Sequence, residues 1–216
     1  MKSNIITFKN RGEFANTMLD KYNTEAPNSV ISDIGAGFGH MKEKIESLHC
    51  IWQPFDYFKK IEASTIWNLN NEAPSTVNKA GTVIFLEVLE HLDNPLLGIQ
   101  NISNHMEKDG ILILTTPNPQ SSKNIVSLFL RGSLYAFQEK HIQENHVFTP
   151  WKHIVEHYLK ICGFDILEYA IVDTEYINHK PQTFKDWIKQ KAERYIEHRN
   201  PLAKGMSYGI VARKTK

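Results

Sequence analysis

The sequence predicts an α/β fold with a buried, mostly parallel sheet, and three observations predict it. Short, uniformly apolar runs recur along the chain, among them residues 30–34, 82–86 and 111–114. Segments with apolar residues at helical spacing alternate with these runs. The first run leads directly into a glycine-rich turn, Asp33-Ile34-Gly35-Ala36-Gly37-Phe38-Gly39. Strands that are apolar on both faces need helices on both faces, and the alternation supplies them. Ligands in such sheets bind at the carboxyl ends of the strands, which is where the glycine turn falls.

The elements follow in order. Phe14, Met18 and Leu19 mark a helix across residues 12–22, and the Pro27-containing stretch 24–29 is a linker. A strand at 30–34 is followed by a helix at 40–48, a second strand from Cys50 to Asp56 and a third at 65–67. The polar stretch 68–79 reads as a loop, and residues 82–86 as a fully apolar fourth strand. Pro95 opens a helix carrying Leu96, Ile99, Ile102 and Met106, and Asp109-Gly110 turns the chain into the fifth strand at 111–114. Thr149 as N-cap, Pro150 as first residue and Gly163 as stop delimit another helix. Residues 164–172 make a sixth strand. Phe184, Trp187, Ile188, Lys191 and Tyr195 fit a helix with one apolar face, and residues 207–213 make a seventh strand.

Two connections are long, 68–79 and 117–147. Loops beyond roughly 12–15 residues are usually functional. The second contains Ile125-Val126-Ser127-Leu128-Phe129-Leu130, so it is expected to hold a short helix and to act as a lid for substrate recognition.

The chain of 216 residues suits one domain, 1–216, and its net charge of +1 gives no bulk basic or acidic character that would argue for nucleic acid or an anionic membrane. Cys50 and Cys162 lie far apart in apolar contexts and read as free thiols in a reducing compartment. No apolar run is long enough to span a membrane, and the first residues lack the apolar core of a signal peptide, so a cytoplasmic location is expected.

The glycine turn is not a phosphate loop, because no Gly-Lys-Ser/Thr follows it. Nor is it a dinucleotide fingerprint, because its glycines run G-x-G-x-G and His40 stands where the last glycine should be. Asp33 would repel a phosphate and attract an ammonium. Asp56, about 20 residues further on, suits ribose hydroxyls. Asn68 could meet an adenine edge or simply open its loop.

At these residues the chain resembles a known family. The glycine turn, Phe85-Leu86-Glu87-Val88-Leu89-Glu90-His91-Leu92, and Gly110-Ile111-Leu112-Ile113-Leu114-Thr115-Thr116-Pro117-Asn118 look like the class I S-adenosylmethionine-dependent methyltransferases. Within them they resemble the branch of ubiquinone-biosynthesis O-methyltransferases and of small-molecule and glycan methyltransferases. The resemblance implies a Rossmann-like three-layer sandwich with a mostly parallel seven-stranded sheet, one late strand antiparallel, and a lid insertion after the fifth strand. It implies S-adenosylmethionine as cofactor. Asp33 and the Gly35 and Gly37 backbone would hold its methionine part, Asp56 its ribose, and Asn68 and Leu69 its adenine. Leu86 and Glu87 would lie beside the sulfonium. Gly81 departs from the family, which often has an acid there.

Glu87-x-x-Glu90-His91 would share one face if it were helical. Such a face, completed by a distant His146, could hold a divalent metal, as a similar pattern does in small-RNA 3′-terminal ribose 2′-O-methyltransferases. Glu90 and His91 could equally brace the turn, with Glu87 shaping the pocket. O-methylation also needs a group to take the hydroxyl proton, and histidine is the usual choice. His146 is the favoured candidate, with His91 and His141 behind it. Lys123, Arg131 and Lys140, interleaved with Phe129, Tyr135 and Phe137, give the lid a mixed basic and aromatic character. The expected acceptor is a small molecule or a sugar of a bacterial glycan. The alternatives are a metal-dependent RNA methyltransferase and a non-catalytic cofactor-binding module.

Overall fold

The computed structural model describes residues 5–178 and 180–216. A single mixed sheet organises them. Its strands are β1 (Ile6–Thr7), β2 (Val30–Ile34), β3 (Ile51–Asp56), β4 (Thr65–Ile66), β5 (Ala80–Leu86), β6 (Met106–Pro117), β7 (Phe164–Val172) and β8 (Ser207–Lys214). They lie in the order β1-β7-β8-β6-β5-β2-β3-β4. β8 runs antiparallel to both neighbours, and the other pairings are parallel.

The sheet has eight strands where the sequence predicts seven. The extra one is β1, which pairs through Ile6 and Thr7 with Ala170 and Ile171 on the open edge of β7. Two residues are too few to show a period in sequence. The following Phe8 N–H extends the pairing to the Ile171 carbonyl, and the Phe8 ring meets Phe14 edge-on at 5.3 Å.

Alternation along the strands builds two cores. Ile31, Ile84, Ile113 and Val211 point to the face covered by α1 (Arg11–Tyr22) and α2 (Lys42–Ser47), where they meet Phe14, Met18, Leu19 and Ile45. Phe55, Val83, Phe85, Leu112 and Leu114 point to the opposite face. There α3 (Pro95–His105) and, further along the chain, the helix Lys152–Ile161 supply Ile99, Ile102, Val155 and Leu159. Three layers result.

Two further helices lie beyond the carboxyl ends of the strands. α4 (Ser122–Arg131) follows β6. The helix Lys152–Ile161 is then α5, and α6 (Phe184–Arg199) connects β7 to β8 and packs against α4. The short helix expected within 117–147 is therefore present as α4.

α5 does not begin as expected. Trp151 is its N-cap residue, and Thr149 instead offers its carbonyl to the Trp151 N–H. The Pro150 carbonyl accepts the Tyr208 hydroxyl at 2.8 Å, so the proline is tied to β8 rather than opening the helix. Gly163 does follow the helix, at φ 82°. The departure at Gly81 has a local cause. Its N–H donates to Asn28 Oδ1 at 2.8 Å, and a Cβ there would stand 2.4 Å from the Asn28 carbonyl oxygen. Among the described residues, no helix is long and apolar enough to cross a membrane.

Candidate active site

The carboxyl ends of β2, β3 and β5 meet at one edge of the sheet, and a cavity of about 610 Å³ opens there. Gly35, Asp56, Asn68, Leu69, Glu87 and His91 all line it. That volume suits a ligand of nucleoside size. Asp33, Gly37 and Leu86 are not among the lining residues.

The glycine turn is held from behind. The Gly35 and Ala36 N–H groups both donate to the Phe55 carbonyl, at 2.9 and 3.0 Å. Gly35 has φ 78°, and a Cβ there would stand 2.3 Å from Val88 Cγ2. Only glycine fits both the left-handed backbone and the contact with the turn after β5. Asp56 Oδ2 accepts the Gly37 N–H at 3.0 Å, while its Oδ1 accepts the Tyr57 N–H at 2.8 Å. Asp56 thus braces the turn and forms a wall of the cavity, with Lys60 Nζ at 3.6 Å from Oδ2.

Asp33 is buried at the end of β2, where its Oδ2 accepts the Trp52 indole N–H at 3.1 Å. Burial pushes its carboxyl up to about 6. The Trp52 bond opposes that shift, and Asp56 adds to it. A buried carboxylate of this kind favours a cationic partner. Asn68 Oδ1 accepts the Asn70 N–H at 3.0 Å, and the Leu69 carbonyl accepts from Asn101 at 2.8 Å, which fixes the loop after β4.

The segment after β5 is not one helix. Glu87 takes φ 54°, and only Leu89–His91 form a short helical turn. Glu87 therefore departs from Glu90 and His91. Its Oε2 accepts from Ser207 Oγ at 3.2 Å and lies 3.8 Å from Arg11 Nη1. Burial raises its pKa, opposed by Arg11. Glu90 is deeply buried, with Thr116 donating to Oε2 at 3.1 Å. Burial, reinforced by the neighbouring Glu87, pushes Glu90 up to about 8.

His146 is brought to this turn by backbone pairing. The Val147 and Phe148 N–H groups donate to the Glu90 carbonyl at 3.0 and 3.1 Å, and the Asn145 side chain donates to the His91 carbonyl at 2.8 Å. The His91 and His146 rings meet edge-on at 4.8 Å, and His141 stacks on His146 at 5.6 Å. One side-chain ligand atom from each of Glu90, His91 and His146 falls within 4.8 Å of the others. Glu87 is outside this group, because the left-handed residue breaks the helical spacing that would have placed it there. His146 Nδ1 lies 3.0 Å from the Ala136 carbonyl. A carbonyl only accepts, so Nδ1 carries the proton, and in the neutral ring Nε2 has the lone pair.

Sequence reasoning missed other parts of the cavity wall, among them Tyr57, Phe58, Lys60, Trp67, Asp93 and Asn145. Exposed Tyr57 and Phe58, packed edge-on at 4.7 Å directly after Asp56, were the available signal. Arg11 and Ser207 beside Glu87 had none, since 76 and 120 positions separate them from it in sequence.

The comparison that decides the family is a match of residues 11–169 to the methyltransferase domain. The chain belongs to that family. This methyltransferase is also similar in fold to solved structures. One is a SAM-dependent methyltransferase from Archaeoglobus fulgidus, 16% identical with a TM-score of 0.62 and 94% of each chain covered. Another is an S-adenosylmethionine-dependent methyltransferase from Clostridium acetobutylicum, 12% identical with a TM-score of 0.61, covering 94% of this chain and 91% of that one. A third is the magnesium protoporphyrin IX methyltransferase of Synechocystis with SAH bound, 15% identical with a TM-score of 0.61, covering 93% and 80%. No curated protein matches the methyltransferase by sequence. The protein is an enzyme of the methyl-transferring class, and S-adenosylmethionine as methyl donor is in keeping with that family.

Proposed function

We propose that this methyltransferase transfers a methyl group from S-adenosylmethionine to a hydroxyl oxygen of a small molecule or glycan sugar. The observation that carries the reading is His146, drawn against the cavity wall at His91 with its Nδ1 proton fixed by the Ala136 carbonyl. An imidazole so oriented presents a basic Nε2, the group that a hydroxyl needs as it attacks.

S-adenosylmethionine, when bound, supplies an electrophilic methyl group on a sulfonium. Asp33 would meet its ammonium from beneath the glycine turn, with the turn of Gly35 and Gly37 around its methionine part. Asp56 would accept from its ribose hydroxyls, and Asn68 and Leu69 would flank the adenine. Leu86 and Glu87 would lie near the sulfonium, where Glu87 adds negative charge. His146 would take the hydroxyl proton at Nε2, with His91 holding its ring. Residues 117–147 would act as a lid within the single domain 1–216, excluding water and orienting the acceptor. The near-neutral charge of the chain agrees better with a small acceptor than with RNA.

A second reading has its own support in the cluster of Glu90, His91 and His146. One carboxylate and two imidazoles are a fitting donor set for Zn²⁺ or Mn²⁺, and Glu87 is not needed for it. A metal held there would lower the pKa of an acceptor hydroxyl.

The test is a panel of hydroxyl-bearing acceptors, read by mass spectrometry for the gain of one methyl group, with and without a chelator. Methylation that resists chelation and is lost in His146→Ala supports the first reading. Methylation lost on chelation and restored by Mn²⁺ supports the second. Methylation of amines alone refutes both.

A further inference from the structure

α6 is built inside out. Phe184, Trp187, Ile188, Lys191 and Tyr195 recur at the spacing of one helical face. In the structure it faces solvent, with Phe184 74%, Tyr195 66%, Ile188 49% and Trp187 46% exposed. The face turned toward the protein is the polar one. At about 100° per residue, Asp186, Glu193 and Glu197 fall within a narrow arc opposite the apolar face. Each of these acids is engaged. Asp186 is bonded to its N-cap Thr183, and Glu193 faces Lys123 of α4. Glu197 is buried, and accepts from Ser122 Oγ at 2.7 Å, Tyr176 OH at 3.0 Å and Arg194 Nη1 at 2.8 Å.

With its acids on the opposite side, the apolar face of α6 is bordered only by basic and uncharged groups. Lys185, Lys191 and Arg199 are exposed and lie on or beside the apolar face, and Lys191 Nζ sits 5.5 Å from the Trp187 ring centroid. Phe184 and Trp187 stack at 5.8 Å. In the last turn of α4, Leu128, Phe129 and Leu130 are also exposed, Phe129 by 89%, next to exposed Arg131. Helices with large aromatics on one face, basic residues at its border and acids confined to the other side are suited to the surface of an anionic bilayer. There the rings enter the headgroup region and the lysines reach the phosphates.

We propose that the outward face of α6 docks this methyltransferase on an anionic lipid surface. A second copy of the chain fits less well, because two such faces would set Lys185 and Lys191 against their own likeness. The charge complement is a negative surface.

The test uses the full chain and vesicles of phosphatidylglycerol with phosphatidylcholine, against vesicles of phosphatidylcholine alone, in a flotation assay. The protein is expected to float with the anionic vesicles and to be released at least tenfold by high salt. It should not float with the neutral ones. A Trp187→Ser/Ile188→Ser double variant and a Lys185→Glu/Lys191→Glu double variant should each lose binding tenfold or more. Both should keep the parent's thermal unfolding and S-adenosylmethionine affinity, because these side chains are exposed and remote from the cavity. Absence of flotation with anionic vesicles overturns the proposal, as does flotation of both variants equal to the parent's. A concentration-dependent dimer that the serine variant dissolves, in a protein that ignores vesicles, overturns it in favour of self-association.

Discussion

The cavity wall built from residues 30–92 and the helices α4 and α6 lie at the same end of the sheet, yet they are held in place by different forces. The first region is anchored by parallel ladders and by side chains such as Phe55, Phe85 and Leu89, all fully buried. The helices beyond the strands are joined to each other and to the sheet by polar contacts. Glu197 gathers three donors, and Asn124 bonds the Asn118 carbonyl at 2.6 Å and the Ala136 N–H at 3.1 Å. Apolar burial is non-directional and survives small shifts, whereas a buried polar network holds one arrangement or fails. The difference implies that residues 30–92 are rigid, while α4 and α6 open at lower free energy.

The comparison can be broken most forcefully at His146. His146→Ala should lower turnover by about 10²–10⁴ while S-adenosylmethionine affinity stays within about threefold. A parallel loss of affinity, measured by calorimetry, would merge the two regions into one functional unit. Asp56→Ala is the reciprocal change. It removes both the cavity wall and the brace on the Gly37 N–H, and should weaken cofactor binding about 100-fold, close to 3 kcal/mol. Unchanged affinity would remove Asp56 from the donor site.

Gly35→Ala should cost about 2–4 kcal/mol in denaturant unfolding, from a left-handed backbone and the overlap with Val88. Adding Val88→Ala should recover part of that, since it relieves the overlap and leaves the backbone strain. Full recovery would mean the backbone there is unstrained.

The smallest effect concerns pH. Asp33 has a folded pKa of about 6, above its unfolded value of about 4. Its ionisation therefore opposes folding. The cost is absent below pH 4, grows as pH rises toward 6 and is complete above it. Asp33→Asn should then raise the melting temperature at pH 8 by a few degrees, about 1–2 kcal/mol, and have no effect at pH 4. In the parent, S-adenosylmethionine affinity should fall as pH drops below 6, because the ammonium needs the ionised carboxylate. An affinity that is flat from pH 5 to 8 would show that Asp33 does not meet the cofactor.

What could be read from sequence divides along the same line. The strands at 30–34 and 82–86, the glycine turn and Asp56 depend on local patterns of period two and on turn chemistry, and these are written in neighbouring residues. The eighth strand was not legible, because two residues at an edge carry no period. Glu87 lines the cavity but does not join Glu90 and His91, for a related reason. A helical template joins it to Glu90 and His91, and nothing in the letters reveals that it takes φ 54°. The approach of His146 to His91 was anticipated only by resemblance, since the backbone bonds from Val147 and Phe148 to the Glu90 carbonyl span more than fifty residues. The α6 face was legible as a pattern and illegible as an orientation. The sequence shows that one side is apolar, and the contacts of Glu197 decide which side turns inward.

The position of β8 bears on how the protein is made. This strand inserts between β6 and β7, pairing with both, although it follows both in sequence. Until residues 207–214 emerge, β6 and β7 each present a long apolar edge with unsatisfied backbone groups. Chains stalled or truncated before that point should be sticky intermediates held by chaperones. The sheet closes only when β8 inserts, so β6 and β7 stay unjoined until residues 207–214 are in place.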